Sequence, residues 1–352
     1  MDTTGRVISL DRGYPLIALG AQGAGAQGAA EAAGAQAQAQ AQGQGQGQGQ
    51  ARVVRAQHAT ELLKSADVRA VVGDLVELRF PPGQDMPLIT RIHSRAACLV
   101  RRSFVESRHE GSGKHDEQVL AANFDLVFVV TALLRRALDQ DYLERQLVMA
   151  HQSGVEVAVL LTKADLAGDA AGDAKRARAS ALGCEVLLTS AHTGQGLLQL
   201  STFLDSRIAV LLGRSGVGKS TLINELLGAP TLATGAVREK DRAGRHTTVV
   251  RRMLALPGGG AMIDTPGLRS VGLYDAYEGL AATFTEITAL AAHCRYRDCS
   301  HTHEPGCAVI EAKRTGELCA RRLASYCAIR AEVEGRQSEG RQGEGCQDEG
   351  VG

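Results

Sequence analysis

The chain has no tryptophan, and aromatic residues make up 3% of its 352 positions. That scarcity argues against a broad base-stacking platform for single-stranded nucleic acid, which needs repeated aromatic side chains. Charge of one sign is not in excess either: 39 Lys and Arg balance 39 Asp and Glu. A uniformly basic nucleic-acid binder is thereby excluded, although a local basic face is not. Long apolar runs are missing; the strongest, such as residues 126–130, fall far short of the ~20 residues a membrane-spanning helix requires. Residues 1–20 lack the basic start and long apolar stretch of a secretory signal. Eight cysteines are too sparse for a disulfide scaffold. The expectation is a soluble, cytoplasmic protein of two or three domains, with no membrane partner.

What is present is unevenly distributed. Between Gly20 and Ala51 the sequence is Ala, Gln and Gly with a single charge, Glu31. Such a tract buries too little apolar surface to offset chain entropy, so a disordered insertion is expected over 20–57. Residues 334–352 read as a disordered polar tail. Around the insertion, strand-like pieces at 6–10, 16–19, 71–80 and 88–93 predict a small β-barrel spanning 1–100. The polar stretch 101–118 reads as a linker. Beyond it, apolar β-type runs at 125–130, 155–161, 184–188 and 208–212 alternate with helical stretches such as 138–151. This alternation predicts an α/β domain over 119–273, with a parallel sheet covered on both faces. A Cys/His-rich stretch and a final helix near 317–333 form a third unit, 274–333.

The chemistry concentrates in the middle unit. Gly213-Arg214-Ser215-Gly216-Val217-Gly218-Lys219-Ser220 matches the phosphate-loop pattern G-x-x-x-x-G-K-[ST], and Thr221 follows in the ensuing helix. Glycines let backbone N–H groups turn inward around phosphate oxygens, and the helix N-terminus adds partial positive charge. Lys219 is expected to reach the β- and γ-phosphates, and the Ser220 hydroxyl to ligate Mg²⁺. Downstream, Asp264-Thr265-Pro266-Gly267 closes a short apolar strand. Asp264 can hold Mg²⁺ through water, and the Gly267 N–H can contact the γ-phosphate. Between these motifs, residues 242–248 are polar and glycine-containing. Their hydroxyls, Thr248 among them, could close over Mg²⁺ as a nucleotide-sensing switch.

Two loops upstream address the base. Thr162-Lys163-Ala164-Asp165 ends one strand, and Ser190-Ala191 ends the next. A carboxylate at Asp165 can accept from guanine N1–H and its exocyclic amine, a donor pair adenine does not offer, so GTP is the expected nucleotide. The Lys163 stem would lie along the base and the Ala191 N–H would meet the guanine O6. GTPases commonly carry Asn where this chain has Thr162; a Thr hydroxyl can still tie two loops together. GTPases also usually place the base-reading motifs after the phosphate loop, whereas here they precede it. The domain is therefore read as circularly permuted, and the chain leaving D-x-x-G runs into a separate C-terminal module.

Cys294, Cys299, His301 and Cys307 supply three thiolates and an imidazole, the inventory of a closed tetrahedral zinc site. With no position left open, a structural ion is expected rather than a catalytic one. On local chemistry His303 and His293 compete with His301 for the fourth position. The other five cysteines lack partners at ligand spacing.

The phosphate loop, residues 244–248, Asp264–Gly267 and the C-x4-C-x-H-x5-C module, behind a β-barrel start, together resemble the RsgA (YjeQ) family of small-ribosomal-subunit-dependent GTPases. The resemblance covers roughly residues 5–333. It implies an N-terminal OB-fold β-barrel, a circularly permuted P-loop GTPase domain and a C-terminal zinc-binding helical module. It also implies Cys294, Cys299, His301 and Cys307 as ligands of one Zn²⁺, and Mg²⁺ bound with GTP. The implied activity is GTP hydrolysis that is slow alone, is stimulated by the small subunit, and promotes release of assembly factors late in subunit maturation. The implied partners are the subunit, its rRNA and those factors, with the protein acting as a monomer.

Leu268 follows D-x-x-G where Ras-like enzymes place a water-orienting Gln. Leu cannot orient water, so intrinsic hydrolysis should be slow, and His246 in the switch is the candidate for the missing group. The basic residues expected to meet RNA are Arg245, Arg251 and Arg252 near the switch, and Lys313, Arg314, Arg321 and Arg322 after the cysteines.

Overall fold

The computed structural model describes residues 3–11, 14–19, 52–65, 69–105, 114–232, 251–257, 259–264, 272–273 and 275–335. The N-terminal unit contains β1 (Thr3–Asp11), β2 (Tyr14–Leu19), β3 (Val53–Arg55), β4 (Gln57–His58), the short helix α1 (Thr60–Ser65), β5 (Leu75–Arg79) and β6 (Leu88–Ile92). Strand β1 pairs antiparallel with both β2 and β5, and β5 continues to β6. Alternate residues turn inward, so that Val7, Ile17, Val76, Leu78 and Ile89 form one buried cluster. Consistent with the expected OB-fold, the strands curl around this small core. The stretch 20–51 joins two antiparallel neighbours whose facing ends are tied by the Leu19 N–H to the Arg52 carbonyl at 2.8 Å. Extra chain between ends already held together adds little closure entropy.

Residues 101–118, read above as a linker, belong in their described part to a hairpin. Strands β7 (Cys98–Val105) and β8 (Lys114–Ala122) pair antiparallel from Cys98↔Ala122 to Val105↔Lys114. A two-stranded ribbon is held by backbone hydrogen bonds and needs no apolar alternation, which is why its polar sequence did not reveal it.

The central unit then runs β9 (Leu126–Ala132), α2 (Gln140–His151), β10 (Glu156–Thr162), a 3-10 turn (Ala164–Leu166), α3 (Ala170–Ser180), β11 (Glu185–Leu188), α4 (Leu197–Phe203), β12 (Ile208–Leu212), α5 (Lys219–Leu227), β13 (Arg251–Ala255) and β14 (Ala261–Asp264). The strands are ordered β11-β10-β9-β12-β14-β13, and all but β13 are parallel. Side chains of β9 alternate between two cores: Val127 and Val129 face α2 and α3, while Leu126, Phe128 and Val130 face α4 and α5. Burial on both faces explains why these strands read as continuous apolar runs. Strand β13 also pairs with β1 at Leu10↔Arg251 and Ser9↔Arg252, so the N-terminal strands extend the same sheet.

Four helices complete the described chain: α6 (Tyr277–Thr283), α7 (Thr285–Ala291), α8 (Ala308–Thr315) and α9 (Ala320–Val333). The module they form is seated on α2 and α3. A Cβ on Gly279 would stand 2.1 Å from the Val148 carbonyl oxygen, so α6 approaches α2 more closely than any side chain permits. Buried Glu144 of α2 meets Arg321 at 2.6 Å and Arg322 at 3.0 Å, and Arg322 also reaches Glu286 at 2.6 Å. Arg322 is 4% exposed and lies over the Phe284 ring. Arg322, expected above to meet RNA, is instead consumed inside the protein, since a guanidinium buried against carboxylates has no face left for phosphate; Arg321 is committed to Glu144 and Asp141 but stays half-exposed.

Candidate functional site

The carboxyl ends of β9, β10, β11, β12 and β14 lie along one edge of the sheet, because these five strands are parallel. Crevices at such an edge are where open α/β sheets hold ligands. Every described motif residue singled out in the central unit emerges there: Thr162–Asp165 after β10, Ser190 and Ala191 after β11, Gly213–Thr221 after β12, and Asp264 at the end of β14. The motifs separated in sequence by the permuted order are therefore assembled in space. Strand β9 lies beside β12.

Gly218 caps α5 with φ +102°, and Gly216 has φ +82°. These left-handed backbones, open to glycine at little cost, bend the loop around its own centre. Lys219 Nζ donates to the carbonyls of Gly213 at 2.5 Å and Arg214 at 2.8 Å. Ser220 and Asp264 are both buried at the base of the loop.

The loops that carry Thr162–Asp165 and Ser190–Ala191 are locked to each other and to residues 213–220. The Ala164 N–H donates to the Thr189 carbonyl at 3.1 Å. Ser190 Oγ donates to the Asp165 carboxylate at 2.5 Å, and the Thr193 N–H donates back to Ser190 Oγ at 3.2 Å. The Ser190 hydroxyl holds the exposed Asp165 carboxyl below the usual carboxylate range, so it is an acceptor at neutral pH. Thr162 Oγ1 donates to the Val217 carbonyl at 2.5 Å, and Lys163 Nζ donates to that of Gly216 at 2.8 Å. Lys163 itself takes φ +58°. Thr162 thus ties two loops together, as its hydroxyl allowed.

His246, Thr248 and Gly267, together with Arg245 and Leu268, lie outside the described residues. Sequence reasoning missed the stacking of Arg214 over the Tyr142 ring at 3.8 Å, a contact across 72 positions that no local pattern announces.

At the far end of the module, Cys294, Cys299, His301 and Cys307 bring their ligand atoms within 4.8 Å of one another. Cys294 Sγ and Cys307 Sγ are 3.7 Å apart, and His301 Nδ1 lies 3.6 and 3.5 Å from them. Tetrahedral zinc with bonds of about 2.3 Å to sulfur and about 2.0 Å to nitrogen needs edges of about 3.8 and 3.5 Å, so this donor set could hold one zinc ion. His301 reaches the cluster from a left-handed backbone, φ +61°. His303, its competitor, is exposed, with Nδ1 against Thr302 Oγ1 at 2.8 Å. Arg330 of α9 donates to the Cys299 carbonyl at 3.0 Å, fixing the cysteine loop to the last helix.

Residues 92–274 match the RsgA GTPase family. A relative from Streptomyces avermitilis named "Small ribosomal subunit biogenesis GTPase RsgA" is 48% identical over 257 residues, covering 72% of this chain and 67% of its own. A relative of the same name from Gemmatimonas aurantiaca is 40% identical and covers 76% of this chain and 86% of its own. The solved structure of YjeQ from Thermotoga maritima superposes with a TM-score of 0.64 at 21% identity, covering 96% of this chain and all of that one. YloQ, described as a circularly permuted GTPase, superposes at 0.62 with 19% identity, covering 96% of this chain and 97% of its own. The permuted motif order, the sheet that gathers those motifs on one edge and these likenesses converge: the chain belongs to the RsgA GTPase family and is a circularly permuted P-loop GTPase that hydrolyses GTP.

Proposed function

We propose that this GTPase acts on the small ribosomal subunit during its late maturation, hydrolysing GTP slowly alone and faster when the subunit stimulates it. The observation that carries the nucleotide side is the ionised Asp165 carboxylate, held by Ser190 on a loop tied through Thr162 to the phosphate loop. On this reading Asp165 accepts from the guanine N1–H and amine, Lys163 lies along the base, and the Ala191 N–H meets O6, with Ala164 spanning the turn. The N–H groups of residues 213–221 surround the α- and β-phosphates. Lys219, resting on carbonyls of its own loop, exchanges them for phosphate oxygens.

Ser220, Thr248 and Asp264 would hold the Mg²⁺ that accompanies GTP, which neutralises charge on the phosphates. The Gly267 N–H faces the γ-phosphate, and His246 orients the attacking water. The subunit side rests on the names of relatives up to 48% identical. RNA contact then falls to the exposed Lys313 and Arg314 and to the switch-side Arg245, Arg251 and Arg252, with the half-exposed Arg321 beside them and the buried Arg322 removed from that set. Release of assembly factors on hydrolysis, action as a monomer and residence in the cytoplasm complete the reading.

A second class of function, an RNA-binding assembly module in which GTP only fixes domain geometry, makes a different prediction. Turnover of the purified protein with and without small subunits separates the two, because multiple stimulated turnovers favour the enzyme; co-sedimentation with purified small subunits tests the nucleotide control. The GTPase reading expects strong binding with a non-hydrolysable GTP analogue and weak binding with GDP. Equal binding in both states contradicts a nucleotide-controlled encounter.

A further inference from the structure

Helix α9 is fastened to α2 at both ends, and the two fastenings differ in kind. Near its start, Arg321 and Arg322 close on buried Glu144. Near its end, Glu332 takes two bonds from Arg145: Nε donates to Oε2 at 2.9 Å and Nη2 to Oε1 at 2.5 Å. This second pair is open to water, since the Arg145 and Glu332 side chains keep 27% and 37% of their exposure. Ion pairs of that kind contribute little to stability. The doubled bond nevertheless fixes the direction of the carboxylate.

What Glu332 orients is the chain that leaves D-x-x-G. The Leu273 N–H donates to the same Oε1 at 3.4 Å, and the Asp275 N–H donates to the Val333 carbonyl at 2.9 Å. Leu273 itself is buried. The chain between Asp264, the last residue of β14, and Leu273 is therefore anchored at one end by the sheet and at the other by the last turn of α9. On α2, Arg145 stands three positions after Tyr142, a spacing that makes the two side chains neighbours. Tyr142 carries the Arg214 guanidinium of the phosphate loop over its ring at 3.8 Å. Burial pushes the Tyr142 phenol up, and the charges of Arg214 and Arg145 both pull against that shift, so the three groups act on one another. One file of contacts runs from Arg214 through Tyr142, Arg145 and Glu332 to the Leu273 N–H.

We propose that Arg145 and Glu332 are positioning residues for GTP hydrolysis, which set the exit of the D-x-x-G chain in register with the phosphate loop from outside the nucleotide site. The proposal rests on the reading that residues 213–221 hold GTP and that Gly267 meets it from the D-x-x-G side. Hydrolysis needs groups from both sides placed together, and a displacement of about 1 Å caused far from the chemistry can cost up to about a hundredfold in rate. Nucleotide binding needs only the base and phosphate loops, which this file of contacts does not build. The C-terminal module thus acts on turnover without touching the nucleotide.

The test is single-turnover hydrolysis at saturating GTP, with GDP affinity and melting temperature measured on the same full-length proteins. Combining Arg145→Glu with Glu332→Arg reverses the ion pair but leaves no acceptor for the Leu273 N–H. A purely structural seam is mended by that reversal, whereas a positioning role is not. The reversed protein should melt as the wild type does and bind GDP equally, yet hydrolyse GTP about tenfold more slowly. Glu332→Gln keeps Oε1 as an acceptor and should retain more of the rate than Glu332→Ala, a comparison that carries the test if the reversed protein is unstable. Tyr142→Leu should also slow hydrolysis, and its loss should overlap with that of Glu332→Ala in the double variant rather than multiply. Wild-type hydrolysis in the reversed protein, equal rates for the Gln and Ala variants, or losses that multiply would each overturn the proposal. Failure of GDP to bind the wild-type protein would count against the placement of GTP, and this proposal would fall with it.

Discussion

The Thr162 hydroxyl donates to the Val217 carbonyl across 2.5 Å, joining the loop proposed to read the base to the loop proposed to hold phosphate. Thr162 is 4% exposed, so this bond is shielded from competing water. A ligand that spans base and phosphates meets two loops whose spacing is already fixed, which lowers the ordering cost of binding.

Replacing Thr162 with Val keeps the shape and removes the donor, leaving the Val217 carbonyl short of a partner. The loss should cost about 1–2 kcal/mol, weakening GDP and GTP binding by roughly 5- to 30-fold. Thr162→Ser restores the hydroxyl and should recover most of the affinity. Equilibrium nucleotide titration of the three proteins checks this, and an unchanged Val variant would refute the tie.

Most of the site was legible from residues because its motifs are local. Gly213–Ser220 and Thr162–Asp165 each sit at the end of an apolar strand, and a strand that enters the core and stops marks where its loop must emerge. The four strands 125–130, 155–161, 184–188 and 208–212 were found within two residues of their observed ends for the same reason. What stayed hidden depends on partners far apart in sequence or on backbone pairing alone. Arg322 next to Arg321 after a zinc module looks like a basic patch. Only the fold shows Glu144, 178 positions earlier, occupying that charge. In the ribbon β7–β8 only the base, Leu99, Leu120 and Ala121, enters the core, and the polar stretch 101–118 beyond it carried no apolar alternation.

The buried charges around Glu144 set the stability of the seam between α2 and the last helix. Besides Glu144 and Glu286, Arg322 donates to the carbonyls of Ser180 at 3.0 Å and Thr283 at 2.6 Å. Arg322→Ala leaves these acceptors without their donor and should destabilise the protein by about 3–5 kcal/mol. Denaturant unfolding measures it. A loss under 1 kcal/mol would mean that the seam does not depend on this guanidinium.

His151 contributes a pH dependence. Its Nδ1 lies 2.9 Å from Thr283 Oγ1, whose own proton goes to the Gly279 carbonyl, so the neutral ring donates through Nδ1–H. Burial pushes its pKa down to about 4 from 6.5. The unfolded chain therefore takes a proton below pH 6.5 while the folded chain resists until about pH 4. The stability present above pH 6.5 is lost progressively as pH falls through that window, by up to about 3 kcal/mol. His151→Gln should flatten the unfolding free energy between those pH values. A wild-type profile already flat there contradicts the assignment.

The cysteine cluster predicts one zinc per chain. His301→Ala should reduce bound zinc, measured by elemental analysis, while His303→Ala should leave it unchanged. Chelation should lower the melting temperature, since a metal bound to the folded form alone stabilises it by mass action. Equal zinc loss in both histidine variants would overturn the choice of His301, whose Nδ1 faces the thiols.

The central claim is a GTPase switched on by the small ribosomal subunit, and steady-state GTP turnover with and without purified subunits tests it most directly. The account predicts slow turnover alone and multiple faster turnovers with subunits. It also predicts that Asp165→Asn abolishes the GTP preference over ATP and that His246→Ala removes the stimulation without weakening GTP binding. Turnover that is the same with and without subunits, or equal for GTP and ATP in the wild-type protein, would contradict it.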